Sequence, residues 1–356
     1  MKVPLLDLPA QYAILGPSIE AAVKRVLAGG HYIMGEDIAG LEAELAADHK
    51  LAHAIAVSSG TDALLAALWA LGIGPGDEVI TTAMSFFATA GAVARLGATP
   101  VFADIDPRTF NLDPQSALSR VTAKTRAIIP VHLFGRLADV DALAAANVPI
   151  VEDAAQAVGA PGMGARNNLV TLSFFPSKNL GAAGDAGMVL CDDAALSDRV
   201  RLYRTHGSRP KYVHHVVGAN LRMDTLQAAI LRVKRPHLAA WNAQRRHHAA
   251  LYRELLAGSP LVLPDDAPGH VWHHFVVRVP KRDELRAHLR AREIETEVYY
   301  PLPLHLQPCF PGGKQGDLPE AERAAAEVLA LPVHPDLAPA QLEWVARAIR
   351  EFYRYP

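Results

Sequence analysis

The stretch Thr171-Leu-Ser-Phe-Phe-Pro-Ser-Lys-Asn-Leu-Gly181 decides how the chain is read. Thr171 to Phe175 is a β-branched and aromatic run, stopped by Pro176 and followed by small residues and glycine. Such a run predicts a short buried strand that ends at a turn. Lys178 then falls just past the strand's carboxyl end, where open α/β sheets place their ligands. An amine in apolar surroundings is poorly hydrated as a cation, so its pKa falls and it becomes a nucleophile. A Schiff base with an aldehyde is the chemistry that suits it. The competing reading is an ordinary surface lysine in a βα loop, which is where most lysines lie. The residues upstream decide between the two.

Three further stretches end predicted strands in the same way. Val57-Ser-Ser-Gly-Thr-Asp-Ala-Leu64 is a small-residue turn running into a helix. Free N–H groups at a helix start bind phosphate, although an ordinary N-cap has the same appearance. Ala83-Met-Ser-Phe-Phe-Ala-Thr89 offers an aromatic that either stacks on a flat ring or fills core. Ile150-Val-Glu-Asp-Ala-Ala-Gln156 ends an apolar strand in two carboxylates. Asp153 either pairs with a pyridinium nitrogen or caps the next segment. Phosphate turn, aromatic, carboxylate and lysine together are the set that pyridoxal 5′-phosphate requires.

Around these stretches, strand and helix signals alternate. Strands are predicted at 53–57, 78–81, 99–103, 127–131, 149–152, 170–174 and 187–190, with helices between most of them. Several are continuous apolar runs, as expected for strands covered on both faces. The expected fold is α/β: a mostly parallel, seven-stranded, doubly wound sheet flanked by helices. Helices are also predicted at 18–27 and 37–49. The pattern changes near Pro236. A long Arg- and His-rich helix (238–256), a strand (273–279), a helix (282–292), a strand (295–300), a Pro-rich loop and two helices follow. They predict a smaller α+β domain over 241–356, after a large domain over 1–240.

The chain has 356 residues and half of them are hydrophobic, enough for a large core. A net charge of −2 leaves no electrostatic footprint for nucleic acid or an anionic membrane. No apolar run has transmembrane length. The amino-terminal residues lack the apolar core of a signal peptide. Two distant cysteines, Cys191 and Cys309, exclude a disulfide framework and a CxxC zinc pattern, and a cytoplasmic location is expected. The pairs His214-His215 and His273-His274 lack the i, i+4 spacing of a helical metal site, so no metal is expected.

Eight stretches, in order, resemble the DegT/StrS family of nucleotide-sugar aminotransferases. They are Ser59-Gly-Thr-Asp-Ala-Leu, Gly74-Pro-Gly-Asp-Glu-Val-Ile, Ser85-Phe-Phe-Ala-Thr, Asp104-Ile-Asp-Pro, Pro130-Val-His-Leu-Phe-Gly, Glu152-Asp-Ala-Ala-Gln, Ser173-Phe-Phe-Pro-Ser-Lys-Asn-Leu-Gly and Gly218-Ala-Asn-Leu-Arg-Met-Asp-Thr-Leu-Gln-Ala-Ala. The resemblance implies PLP fold type I and a homodimer with shared active sites. It implies that Lys178 holds pyridoxal 5′-phosphate and shuttles the proton, and that Asp153 pairs with the ring nitrogen. Gln156 would lie near the ring hydroxyl, and Phe86 would stack on the ring. Gly60, Thr61 and Ser173 would hold the phosphate, with Asn220 of the neighbouring subunit. Arg222, Tyr299 and Tyr300 would face the sugar substrate. The implied reaction moves an amino group from L-glutamate to a keto nucleotide-sugar.

The chain departs from the family pattern in places. Ala186 stands where glycine is usual, the segment 159–169 is short, and Tyr299 replaces a histidine common among members acting on 3-keto sugars. Lys211-Tyr-Val-His-His215 still resembles that 3-amino subgroup. The alternatives are a nucleotide-sugar dehydratase of the same fold, in which histidine replaces the lysine, a non-catalytic regulatory member, and an amino-acid transaminase. The last would want an arginine for a side-chain carboxylate, and the sequence does not single one out.

Overall fold

The computed structural model describes residues 1–355. Two helices lead, α1 (Leu8–Gly29) and α2 (Glu36–His49). There follow β1 (His53–Val57), α3 (Gly60–Ala70), β2 (Glu78–Thr82), α4 (Ala88–Arg95), β3 (Thr99–Ala103), α5 (Pro114–Leu118), β4 (Thr125–Ile129), α6 (Val140–Leu143), β5 (Val151–Asp153), β6 (Leu169–Ser173) and β7 (Gly187–Cys191). The remainder is α7 (Ala194–Tyr203), α8 (Thr225–Lys234), α9 (Leu238–Leu255), β8 (Phe275–Arg278), α10 (Arg282–Arg290), α11 (Pro319–Glu327), β9 (Val328–Leu331) and α12 (Pro339–Tyr353).

The first seven strands lie in the order β3-β2-β4-β5-β6-β7-β1. Parallel bridges from Ile128 to Ile150 and from Val131 to Asp153 join β4 to β5. Only β7 runs against the rest, antiparallel to both β6 and β1. Alternation along the strands sends side chains to two cores. On one face Ile55, Val57, Val189 and Cys191 pack under α3. On the other, Ala54, Ala56, Met188 and Leu190 pack with Leu41 of α2 and Ala228 of α8. Strands buried on both faces explain why the sequence shows continuous apolar runs. The consequence for function is geometric: β1, β2, β5 and β6 all end at one edge.

The carboxyl-terminal part differs from expectation in one element. Only the bridge between Glu297 and Ala330 forms in the segment 295–300, where a strand was predicted. The partner of β8 is instead β9, inserted between the two final helices. Four apolar residues, Val328-Leu-Ala-Leu331, continue a helical apolar pattern and so read as helix. Helix α1 begins earlier than its periodicity indicates, because Asp7 accepts the Ala10 N–H at 3.0 Å and Pro9 occupies the first turn.

Candidate active site

At the end of β1 the chain turns directly into α3. Ser59 caps the helix, its hydroxyl accepting the Asp62 N–H at 3.1 Å. The N–H groups of Gly60 and Thr61 have no acceptor among the described residues, which leaves an anion-binding helix start. Gly60 is required by its neighbour. A Cβ there would lie 2.5 Å from Ser173 Cβ and 2.9 Å from its hydroxyl oxygen. The two strands thus form a cradle of N–H groups and a hydroxyl that a side chain at residue 60 would fill. It fits a phosphate.

At the end of β5, Asp153 is 4% exposed. Its Oδ2 accepts from Thr89 Oγ1 at 2.8 Å, and its Oδ1 accepts the Ala155 N–H at 3.2 Å. Burial raises its pKa against those two hydrogen bonds and the charge of Lys178. A buried carboxyl of this kind suits a cationic ring nitrogen. Gln156 is fixed from both sides: its Oε1 accepts the Phe134 N–H at 2.6 Å and its Nε2 donates to the Tyr300 hydroxyl at 3.0 Å.

At the end of β6, Lys178 is partly buried. Burial pushes its pKa down to about 8, opposed by the charge of Asp153. Its loop is tightly closed. The Lys178 N–H donates to Phe175 O at 2.8 Å, and a Cβ on Gly181 would lie 2.3 Å from the Pro176 carbonyl oxygen. The next residue, Asn179, is buried and anchors the loop. It donates to Asn242 Oδ1 at 2.8 Å and to Val271 O at 3.0 Å, and its own Oδ1 meets His273 Nδ1 at 3.0 Å.

Aromatic rings form the wall of the site. Phe86 is 59% exposed, its ring 6.3 Å from that of Tyr300. Tyr299 stacks on His274 at 4.2 Å, and His273 lies 4.0 Å from His274. Burial holds both histidines well below their ordinary pKa, so both rings are neutral at pH 7. Among the described residues no group of three or more His, Cys, Asp or Glu side chains could hold a metal.

The structure therefore brings Gly60, Thr61, Ser173, Asp153, Gln156 and Lys178 to one edge of the sheet, with Phe86, Tyr299 and Tyr300 beside it. Asn220 and Arg222 stand apart. Asn220 is exposed and Arg222 partly buried. Neither side chain hydrogen-bonds another member of the set among the described residues. Their segment is tied to the site's strands by the packing of Leu221 and Met223 and by the Ser58 N–H, which donates to Leu221 O at 2.9 Å.

Four supporting residues are not singled out for the site by the sequence. Thr89 and Asn179 lie inside the quoted stretches, but their partners are distant in sequence. His273 and His274 were weighed only as metal ligands. Ala186 has an ordinary backbone conformation and is 1% exposed. Its carbonyl accepts the Phe174 N–H at 2.8 Å. The short 159–169 segment is fastened by buried Glu152, which accepts the Gly164 N–H at 3.1 Å and the Asn168 amide at 2.8 Å.

A family model described as the DegT/DnrJ/EryC1/StrS aminotransferase family matches residues 14–350. A "Pleiotropic regulatory protein" of Geobacillus stearothermophilus is 51% identical, over 100% of both chains. A "dTDP-3-amino-3,4,6-trideoxy-alpha-D-glucose transaminase" of Streptomyces venezuelae is 46% identical, over 99% of this chain and 96% of that one. A crystal structure of S. venezuelae DesV, in complex with a ketimine intermediate, superposes with a TM-score of 0.97 at 45% identity, covering 100% and 99% of the two chains.

Proposed function

The chain belongs to the DegT/DnrJ/EryC1/StrS aminotransferase family, and from that premise we propose that it is a pyridoxal 5′-phosphate-dependent nucleotide-sugar aminotransferase. The observation that carries this reading is the convergence of phosphate cradle, buried carboxyl and lysine of lowered pKa at one sheet edge. The relatives named as transaminases of 3-amino and 3-oxo sugars support a keto group at C3 of a nucleotide-linked hexose. A 4-keto acceptor is the second choice. L-Glutamate is the proposed donor.

When bound, pyridoxal phosphate supplies an aldehyde that accepts the amino group and a ring that withdraws electrons from the donor's Cα–H bond. Gly60, Thr61 and Ser173 would hold its phosphate, and Asp153 would pair with its ring nitrogen. Gln156 would meet the ring hydroxyl and Phe86 would stack on the ring. With a pKa near 8, Lys178 Nζ is partly unprotonated at neutral pH. It would act as the base that accepts the donor's Cα proton and then as the acid that gives it up. Neutral His273 and His274 beside it leave that equilibrium without added positive charge. Arg222, Tyr299 and Tyr300 are proposed to contact the sugar substrate.

The reading includes a homodimer in which Asn220 of one subunit completes the other subunit's phosphate cradle. It also includes a division into domains 1–240 and 241–356, and a cytoplasmic location. No helix among the described residues is long and apolar enough to cross a membrane. A dehydratase of the same fold is disfavoured by Lys178, and a purely regulatory role by the intact cradle, carboxyl and lysine.

Borohydride treatment of cofactor-loaded protein, followed by peptide mapping, tests the lysine directly. The cofactor is expected on the peptide that contains Lys178. Attachment elsewhere, or none, would contradict the assignment.

A further inference from the structure

Helix α9 carries Arg245, which is 4% exposed. Its Nη1 donates to the Trp272 carbonyl at 3.4 Å and to the His273 carbonyl at 3.2 Å. Its Nε is buried without an acceptor. Nη2 has no partner, and no carboxylate lies within 4.0 Å of the guanidinium, among the described residues. Asp336 is the acid whose charge acts on it, and burial nonetheless lowers its pKa to about 10. Buried guanidinium groups are ordinarily paired with an anion, because an uncompensated buried charge is costly. This one is not.

Arg245 lines a cavity of about 40 Å³ with Ser177, His273, His274, Tyr299 and the amino-terminal Leu5 and Leu6. Ser177 immediately precedes Lys178, and the charge of Lys178 acts on both histidines. The cavity therefore adjoins the reactive lysine. It takes a carboxylate group or a few waters, and its other cations are absent because both histidines are neutral. An arginine fork matches a carboxylate better than it matches any neutral group.

We propose that this cavity is a carboxylate subsite, in which Arg245 holds the side-chain carboxylate of the amino donor while the donor's amine faces Lys178. The proposal rests on the aminotransferase reading and adds the arginine that the sequence does not single out. It explains why a dicarboxylic amino acid would be the donor. His273, His274, Tyr299 and the Leu5-Leu6 segment line the subsite around Arg245.

The test compares L-glutamate with L-norvaline, which has the same five-carbon chain with a methyl in place of the side-chain carboxylate, in the donor half-reaction followed by cofactor absorption. Arg245→Gln is expected to lower the ratio of kcat/KM for glutamate over norvaline about tenfold or more, chiefly through KM for glutamate. Arg245→Lys is expected to restore part of that ratio and serves if the glutamine variant does not fold. A ratio unchanged from wild type, with both donors impaired equally, would overturn the proposal and leave Arg245 a brace for the 272–273 backbone. Calorimetric titration with glutarate reads the subsite without turnover. Binding to wild type that is lost in the variant supports it, and binding unaffected by the substitution contradicts it. Wild-type protein inert towards every amino acid would instead defeat the aminotransferase reading, with the glutarate result still deciding the subsite.

Discussion

Gly60 and Ser173 face each other so closely that a methyl group on residue 60 would sit 2.5 Å from Ser173 Cβ. One residue opens α3 and the other closes β6, so this contact joins the start of α3 to the strand that leads into the Lys178 loop. Two stretches more than a hundred positions apart are thereby locked into one site.

Gly60→Ala accordingly must push Ser173 aside or open the turn. The expected result is weaker cofactor retention, with the dissociation constant for pyridoxal phosphate raised about tenfold or more, at a cost of roughly 1–3 kcal/mol of the kind seen for overpacked sites. Fluorescence titration of cofactor-free protein measures it. Unchanged affinity would mean that the cradle does not hold the phosphate.

Lys178 sets a pH dependence of stability. Its folded pKa is lowered from 10.5 to about 8, so between those values the unfolded chain binds more protons. Stability then rises with pH across that window. Below pH 8 the cofactor-free protein carries the full cost of a charged, partly buried amine, and Lys178→Met is relieved of it. The melting advantage of Lys178→Met is expected to be largest below pH 8 and to shrink as pH approaches 10.5. A constant difference would place the amine in solvent.

Thr89 tests the proposed pairing of Asp153 with the ring nitrogen. Thr89→Val removes the hydroxyl that donates to Asp153 Oδ2 at 2.8 Å. Burial already raises the Asp153 pKa, and loss of this donor raises it further. The acid limb of the pH–rate profile should move to higher pH, and kcat should fall about tenfold to a hundredfold, as for loss of a hydrogen bond to a charged group. Thr89→Ser should recover most of it. A limb that stays in place would remove Asp153 from the chemistry.

Asn220 tests the proposal that the site is shared between subunits. Lys178→Ala and Asn220→Ala chains are each expected to be inactive. Mixed in equal amounts with subunit exchange, they should regain about a quarter of wild-type sites, since each mixed dimer keeps one intact site. No recovery, with exchange verified by mass, would put Asn220 in its own chain's site or in none.

Much of this architecture is legible in the sequence because strands covered on both faces are continuous apolar runs, and each of β1, β5 and β6 ends in a polar signal. Those ends place Lys178, Asp153 and Ser173 at one edge of the sheet, and the resemblance supplies their proposed roles. What the sequence hides is pairing over distance. Thr89 meets Asp153 across two strands. Asn179 meets His273 through a loop 94 residues on. Arg245 looks like any charged residue on an amphipathic helix until its neighbours bury it. β9 is hidden for a different reason, since four apolar residues between two helices satisfy helical periodicity as well as strand alternation.

The absorption spectrum of the cofactor-loaded protein, recorded before and after L-glutamate is added, tests the central claim most directly. A visible band from cofactor held by Lys178 is expected, replaced on addition of glutamate by the shorter-wavelength band of the aminated cofactor. A band that ignores glutamate, or protein that takes up no pyridoxal phosphate, would contradict it.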